Sequence, residues 1–207
     1  MSRFSQAISE GDGISVIPVL GGNAVELAQQ AEESGAEAIA VSPRDAVDVR
    51  AVTSLPMVVD NMRGRSDIER IVQAGADGCT TVFDLDAGEG EVIDDLFPAV
   101  EQLDLDCAVE VWEEDALSEV LDRLDPEILI IASAQPNDEE ELEHVLDLLP
   151  NVPAGKLVIA RPRLPVTPEQ VTALERAGVD AILVGAGSLR EPSFAAALAE
   201  LTGRVET

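Results

Sequence analysis

Three carboxylates in this chain lie at or just beyond the ends of short apolar runs: Asp60, Asp84 and Glu110. Carboxyl groups that are held close together can acquire different pKa values, so that one serves as a general acid and another as a general base. We therefore predict that these three residues form a catalytic acid–base set that works without a metal or cofactor. Two alternatives stay open: the three could hold Mg²⁺, which prefers carboxylate oxygens, and Glu110 could be a structural carboxylate paired with an arginine.

Arginines are concentrated at the same kind of position. The chain has 12 arginines and one lysine, Lys156. Half of the arginines directly follow an apolar run, namely Arg44, Arg63, Arg65, Arg161, Arg163 and Arg190. A guanidinium group binds phosphate or carboxylate through two parallel hydrogen bonds. This clustering predicts an anionic small-molecule ligand; the alternative is that the arginines pair with nearby acids such as Asp45, Asp67 and Glu191.

A glycine-containing turn follows the last apolar run and consists of Gly185, Ala186, Gly187 and Ser188. We expect a helix to begin directly after it and to run from Leu189 to Phe194. Backbone amides in a turn of this kind bind anions, and barrels often bind phosphate after their seventh and eighth strands. We predict that these four residues bind phosphate and that Arg161 or Arg163 closes over it. A turn without a ligand is the alternative.

The elements that must position these residues form a regular series. Short apolar runs alternate with amphipathic helical stretches, which is typical of parallel strands covered on both faces. The predicted strands are Ile14–Val19, Ala38–Val41, Met57–Asp60, Gly78–Phe83, Cys107–Val111, Ile128–Ala132, Leu157–Ala160 and Ala181–Val184. Eight such units favour a single (β/α)8 TIM barrel over residues 1–207 rather than an open doubly wound sheet. In such a barrel the chemistry takes place at the carboxyl ends of the strands.

Three of the expected helix-to-strand connections share one pattern, in which a glycine is followed by an acid two residues later and then by an apolar run. The glycines are Gly35, Gly75 and Gly178. Glycine adopts the left-handed conformation that ends a helix. The pattern therefore predicts where three helices end and the next strands begin.

The charge of the chain is extreme, with 41 acidic and 13 basic residues and a formal net charge of −28. The acids are spread along amphipathic helices, which indicates the solvated surface of a halophilic protein. Nucleic-acid binding is not expected, because a phosphate backbone requires a basic surface. The chain shows neither a membrane-spanning run nor a signal peptide, so we expect a cytoplasmic protein. A homo-oligomer is compatible with the sequence.

Other chemically useful residue types are few. Cys79 and Cys107 lie in predicted strands and are expected to be reduced and buried. His144, the one histidine, lies on a predicted helix and is expected to be partly exposed. Trp112, the one tryptophan, follows a strand, where it could either stack on a ligand or fill the core.

Several motifs resemble those of indole-3-glycerol phosphate synthase, a barrel lyase of tryptophan biosynthesis. The resembling segments are Leu55–Val58, Val109–Glu114, Thr167–Val171 and Ala177–Gly185. The resemblance implies a phosphate-binding barrel in which Glu110 and Gly185 match the family's site. Other site positions differ: Asp60 stands where the family has its general-acid lysine, and Lys156 precedes strand 7, at the opposite end from the site.

The resemblance leaves three functions open. The first is altered lyase or isomerase chemistry on a phosphorylated, sugar-like molecule. The second is a catalytically silent relative that binds a phosphorylated ligand or a partner as a regulator. The third is a true synthase that uses substituted residues, which the missing lysines disfavour because the reaction requires protonated lysines.

Overall fold

Eight parallel strands alternate with helices and close into a barrel in chain order. The structure, a computed structural model, describes residues 2–11, 13–64, 67–85, 90–133, 140–189 and 193–203. The strands are β1 (Ser15–Leu20), β2 (Ile39–Val41), β3 (Met57–Met62), β4 (Gly78–Val82), β5 (Asp106–Val111), β6 (Ile128–Ala132), β7 (Leu157–Arg161) and β8 (Ala181–Gly185). The helices are α1 (Arg3–Ser9), α2 (Ala24–Glu33), α3 (Ala46–Arg50), α4 (Ile68–Ala74), α5 (Gly90–Glu101), α6 (Glu114–Arg123), α7 (Glu140–Leu148), α8 (Pro168–Ala177) and α9 (Phe194–Leu201), and a 3₁₀ turn, Leu149–Asn151, follows α7.

The barrel closes where β8 pairs with β1, from Ser15 opposite Ala181 to Val19 opposite Gly185. This closure confirms the predicted (β/α)8 TIM barrel and excludes the open sheet. No helix in the described ranges is long and apolar enough to cross a membrane.

The apolar core has two parts, because successive strand residues point to opposite faces. One part lies between the barrel and its helices and includes Leu129 and Ile131 of β6. The other fills the barrel interior and includes Ile128 and Ile130 of the same strand. Every residue of β6 is buried, which is why its run is continuously apolar.

The amino-terminal end of the barrel is covered by α1, in a segment whose polar composition did not predict a helix. Phe4 and Ile8 are buried in the interior cluster. The amide of Ser5 donates to the carboxylate of Asp106 at 2.8 Å, and Asp106 is the first residue of β5. The barrel is therefore closed at this end, and the opposite end is the one available for a ligand.

The predicted glycine–acid connections are confirmed. Gly75 and Gly178 end α4 and α8 in the left-handed conformation, with φ of 59° and 97°. The acid two residues later accepts a hydrogen bond from the first or second amide of the preceding strand: Asp77 binds the amide of Met57 at 2.9 Å, and Asp180 binds that of Val158 at 2.7 Å. Burial raises the pKa of Asp180. At these two connections the acid thus satisfies a backbone donor where a strand begins.

Two details at the carboxyl end differ from the sequence-based expectation. β3 continues two residues beyond Asp60, with a register shift between Val59 and Met62 and a left-handed Asn61 (φ 57°). A helix over Leu189–Phe194 was expected, but Leu189 and Ser193 are not helical and α9 begins at Phe194 with Ser193 as its N-cap; residues 190–192 lie outside the described residues. Arg65 and Arg190 lie outside the described residues.

Candidate active site

A guanidinium joins two carboxylates at the carboxyl end of the barrel. Arg161 of β7 donates to Asp60 of β3 through both terminal nitrogens, at 2.7 and 2.9 Å. Its Nη1 also donates to Glu110 of β5 at 3.0 Å. Residues from alternate strands form one layer inside such a barrel, so β3, β5 and β7 bring these three side chains together. We call Asp60, Glu110 and Arg161 the charged layer.

Every carboxylate oxygen of the charged layer accepts a hydrogen bond. Thr80 of β4 donates its hydroxyl to Asp60 Oδ1 at 2.7 Å, and the indole Nε1–H of Trp112 donates to Glu110 Oε1 at 2.8 Å. The layer is shielded from water, since the side chains of Glu110, Asp60 and Arg161 are 6%, 12% and 22% exposed. Burial opposes the charge of Arg161, but the hydrogen bonds and charges of the two carboxylates outweigh it and raise the pKa of Arg161.

A cavity of about 470 Å³ opens above the charged layer. It is lined by Asn61, Met62, Arg63, Val82, Asp84, Glu110, Trp112, Arg161 and Arg163. Two of the predicted catalytic carboxylates, Asp84 and Glu110, therefore share one cavity, while Asp60 reaches it through Arg161. Among the described residues, no group of three or more His, Cys, Asp or Glu is placed to hold a metal ion.

Two further arginines, Arg63 and Arg163, line this cavity beside Arg161. The guanidinium carbon of Arg163 lies 5.9 Å from the ring centroid of Trp112, so the tryptophan stacks against the arginine. Within the described residues, Arg44, Arg63 and Arg163 form no ion pair with a carboxylate. Arg161 pairs with Asp60 and Glu110 and not with acids near it in sequence, so the alternative that Glu110 pairs with an arginine is confirmed.

The Gly185–Ser188 turn lies in a different cavity. A space of about 560 Å³ between β1 and β8 is lined by Val19, Leu20, Gly21, Gly22, Leu27, Gly185, Ala186, Gly187 and Phe194. The Ala186 amide donates to the carbonyl of Val19 at 3.0 Å, and the Ser188 amide donates to that of Gly185 at 2.8 Å. An anion-binding role for the Ala186 amide would therefore require the bond to β1 to break.

The predicted ligand-binding residues are thus divided between two places. Arg161 and Arg163 line the cavity above the charged layer, whereas Gly185, Ala186 and Gly187 line the cavity between β1 and β8. The structure does not bring the arginines and the glycine turn into one cavity.

Sequence reasoning missed two residues of α7 that contact the site. The carboxylate of Glu141 accepts the amide of Arg163 at 3.2 Å and the amide of Leu164 at 3.4 Å. The Nε2 of His144 lies 2.6 Å from the carbonyl oxygen of Trp112. These partners are 22 and 32 residues away in sequence, so no local pattern could identify them.

Comparison with known proteins finds distant sequence relatives and a shared fold. No protein-family model matches it. It is 27% identical to an indole-3-glycerol phosphate synthase of Geobacillus sp. strain WCH70 over 194 residues, covering 88% of this chain and 74% of that protein. It is 25% identical to the synthase of Geobacillus kaustophilus, covering 86% and 72%, and 24% identical to that of Priestia megaterium, covering 77% and 62%.

The fold is shared with a thiamine phosphate pyrophosphorylase from Pyrococcus furiosus. The two structures superpose with a TM-score of 0.68 over 93% of this chain and 95% of that one, at 19% sequence identity. The chain is thus weakly homologous to indole-3-glycerol phosphate synthases over most of its length, which confirms the resemblance of the motifs.

Proposed function

We propose that this chain binds a phosphorylated small molecule at the carboxyl end of its barrel and acts on it by acid–base chemistry of the lyase or isomerase type. The observation that carries the proposal is the charged layer beneath a cavity of about 470 Å³, at the end of the barrel where such folds place their chemistry. The volume suits one small ligand. The weak homology to indole-3-glycerol phosphate synthases supports the class of ligand.

Each carboxylate has its own role in this proposal. Glu110 lines the cavity and is held by Trp112 and Arg161, so it is the general base. Asp84 lines the same cavity and is the acid partner. Asp60 holds Arg161 through two hydrogen bonds, and Arg161 in turn stabilises negative charge next to Glu110. Preorganised charges in a water-poor site are the main source of such stabilisation.

The ligand's phosphate lies in the cavity between β1 and β8. Gly185 and Gly187 line it, facing Gly21 and Gly22, and these residues have no side chain that would keep a phosphate from the backbone. The Gly187 amide is the donor, because among the described residues it makes no backbone hydrogen bond. Ser188 contributes its hydroxyl, since its amide is bonded to Gly185.

Arg163 is the arginine that attracts the anion. Arg161 is bonded to Asp60 and Glu110, whereas Arg163 forms no ion pair within the described residues and stacks on Trp112 at the rim. In a chain with a net charge of −28, a cation at the mouth offsets the repulsion that an incoming phosphate meets.

Ligand titration tests binding. Trp112 is the sole tryptophan and lines the cavity, so its fluorescence reports binding of phosphorylated sugars in molar KCl. Arg163→Ala removes the positive charge at the mouth and should slow association, and so weaken binding, roughly 10-fold. Arg176→Ala on α8 is the matched control, because Arg176 is exposed and forms no ion pair within the described residues. Equal affinity of both variants would remove Arg163 from the site, and no response to any phosphorylated ligand would reject the proposal.

Proton exchange tests the chemistry. Glu110→Gln should keep the ligand affinity but slow exchange of carbon-bound hydrogen with deuterated water about 10²–10⁴-fold, the usual contribution of a general base. NMR of the ligand measures this exchange.

A catalytically silent binding protein is the second candidate, and one observation favours it. All four carboxylate oxygens of Asp60 and Glu110 already accept hydrogen bonds, so a base must give up one of them to act. Tight ligand binding without proton exchange in the unaltered protein would select this candidate over the enzyme.

A further inference from the structure

The helix that follows β6 reaches the loops on both sides of that strand. His144 of α7 contacts the carbonyl of Trp112, just after β5, at 2.6 Å. Glu141 lies three residues earlier, on the same face of the helix, and its carboxylate accepts the amides of Arg163 and Leu164 just after β7. One helix face thus binds the backbone of two segments that are separated by β6.

Those two segments carry Trp112 and Arg163, which both line the cavity above the charged layer. The Trp112 indole donates to Glu110 at 2.8 Å, and Arg163 stacks on the same indole. The orientation of Glu110 therefore depends on Trp112, and the position of Trp112 depends on His144. The position of Arg163 depends in the same way on Glu141.

Glu141 is a buried carboxylate that holds the loop after β7, and not a surface acid. It is only 7% exposed, and its Oε2 alone is within hydrogen-bond distance of both amides, at 3.2 and 3.4 Å. A buried carboxylate is costly unless its hydrogen bonds are formed. These bonds hold the loop after β7 in one place.

We propose that Glu141 and His144 are positioning residues of the active site: His144 sets the orientation of Glu110 through Trp112, and Glu141 sets the position of Arg163. This rests on the proposed function, in which Glu110 is the base and Arg163 the cation that attracts the anion. Neither residue touches the cavity above the charged layer, so each acts through the backbone that it holds. Loss of one such hydrogen bond changes the population of the held conformation roughly fivefold.

Trp112 fluorescence of the free protein tests the positions without any ligand. His144→Leu and Glu141→Leu should each red-shift the emission of Trp112 and raise its quenching by acrylamide. His144→Gln keeps a side-chain N–H for the Trp112 carbonyl, and Glu141→Gln keeps an oxygen for the two amides, so both should restore the parent spectrum. Glu143→Leu, at an exposed position of the same helix, is the control and should change neither quantity.

Where His144→Leu does not fold, His144→Asn is compared with His144→Gln. The asparagine side chain is too short to reach the Trp112 carbonyl, whereas the glutamine side chain reaches it. Urea midpoints of all variants are recorded beside the spectra. Spectra and quenching that stay at the parent values in His144→Asn and in folded leucine variants would overturn the proposal.

The kinetics of the proton exchange described under the proposed function separate the two roles. His144→Leu should lower kcat roughly fivefold with little change in KM, whereas Glu141→Leu should raise KM roughly fivefold with little change in kcat. The glutamine variants should recover the parent values. If the parent protein binds no phosphorylated ligand, the proposed function fails. The fluorescence of the free protein still tests whether His144 and Glu141 hold Trp112 and Arg163 in place. If the parent turns over substrate and neither leucine variant alters kcat or KM, the positioning roles fail alone.

Discussion

Replacing Arg161 by leucine removes the cation that holds Asp60 and Glu110 together. The variant keeps a side chain of moderate volume but loses three hydrogen bonds of 2.7, 2.9 and 3.0 Å. Two carboxylates then remain side by side in a place where Glu110 is 6% and Asp60 12% exposed. Their mutual repulsion and poor hydration lower the stability of the folded state.

The expected loss is about 3–5 kcal/mol in the free energy of unfolding, the usual cost of removing one partner from a buried ion pair. Three charge-assisted hydrogen bonds of about 1.5–3 kcal/mol each would sum to more, but the partial exposure of Arg161 and the apolar gain from leucine reduce the total. Arg161→Lys keeps the charge without the planar fork, so its loss should be intermediate.

Urea unfolding in molar KCl, followed by circular dichroism, measures this loss, since urea leaves the ionic strength unchanged. At molar salt the Debye length is about 3 Å, which screens surface charges far more than buried ones, so the loss should persist there. Arg176→Leu, at an exposed position of α8, should change stability by less than about 0.5 kcal/mol. A loss below about 1 kcal/mol in Arg161→Leu would refute the view that this guanidinium stabilises the site.

Three further predictions follow from surface charge, site chemistry and packing. The urea midpoint of the parent protein should fall as KCl is lowered from molar to about 0.1 M, because a net charge of −28 is then less screened; a midpoint independent of KCl would contradict the halophilic interpretation. The protein should show no indole-3-glycerol phosphate synthase activity above background, because Asp60 stands at the position of the general-acid lysine and Lys156 is bonded to Asp125 at the other end of the barrel; robust turnover of the carboxyphenylamino-ribulose phosphate substrate would overturn this. Gly78→Ala should cost about 1–3 kcal/mol, because a Cβ there would lie 2.4 Å from the carbonyl oxygen of Asp106. Gly64→Ala, whose Cβ would meet nothing within 4 Å, is its control in the same urea assay.

The positions of the strands could be predicted because burial on both faces demands an uninterrupted apolar run. Ile128–Ala132 agrees with the sequence-based bounds residue for residue. The start of α8 also depends on local sequence, since Thr167 and Gln170 form a reciprocal cap at its first turn. Such features depend on neighbours within a few residues. α1 could not be predicted, because Phe4 and Ile8 are buried only through contacts with the finished barrel.

The candidate site was predictable only in part. Glu110, Asp60 and Asp84 were selected because they lie at strand ends, and the barrel brings them to one mouth. The arginine that pairs with Asp60 and Glu110 could not be identified, because Arg161 is 101 residues from Asp60 and 51 from Glu110 in sequence. The proposed union of Arg161 and Arg163 with the Gly185 turn also depended on orientation, which the strand positions alone do not define.

The sequence by itself determined the number and order of the units, the acidic composition and the position of the candidate carboxylates at strand ends, because these depend on local periodicity and composition. The tertiary structure alone decided which charges meet. Closure of the barrel placed Arg161 between two carboxylates and turned Glu141 and His144 of α7 toward the segments of Arg163 and Trp112. Such contacts arise from the radial arrangement of strands and helices around a common axis, which no stretch of the chain encodes locally.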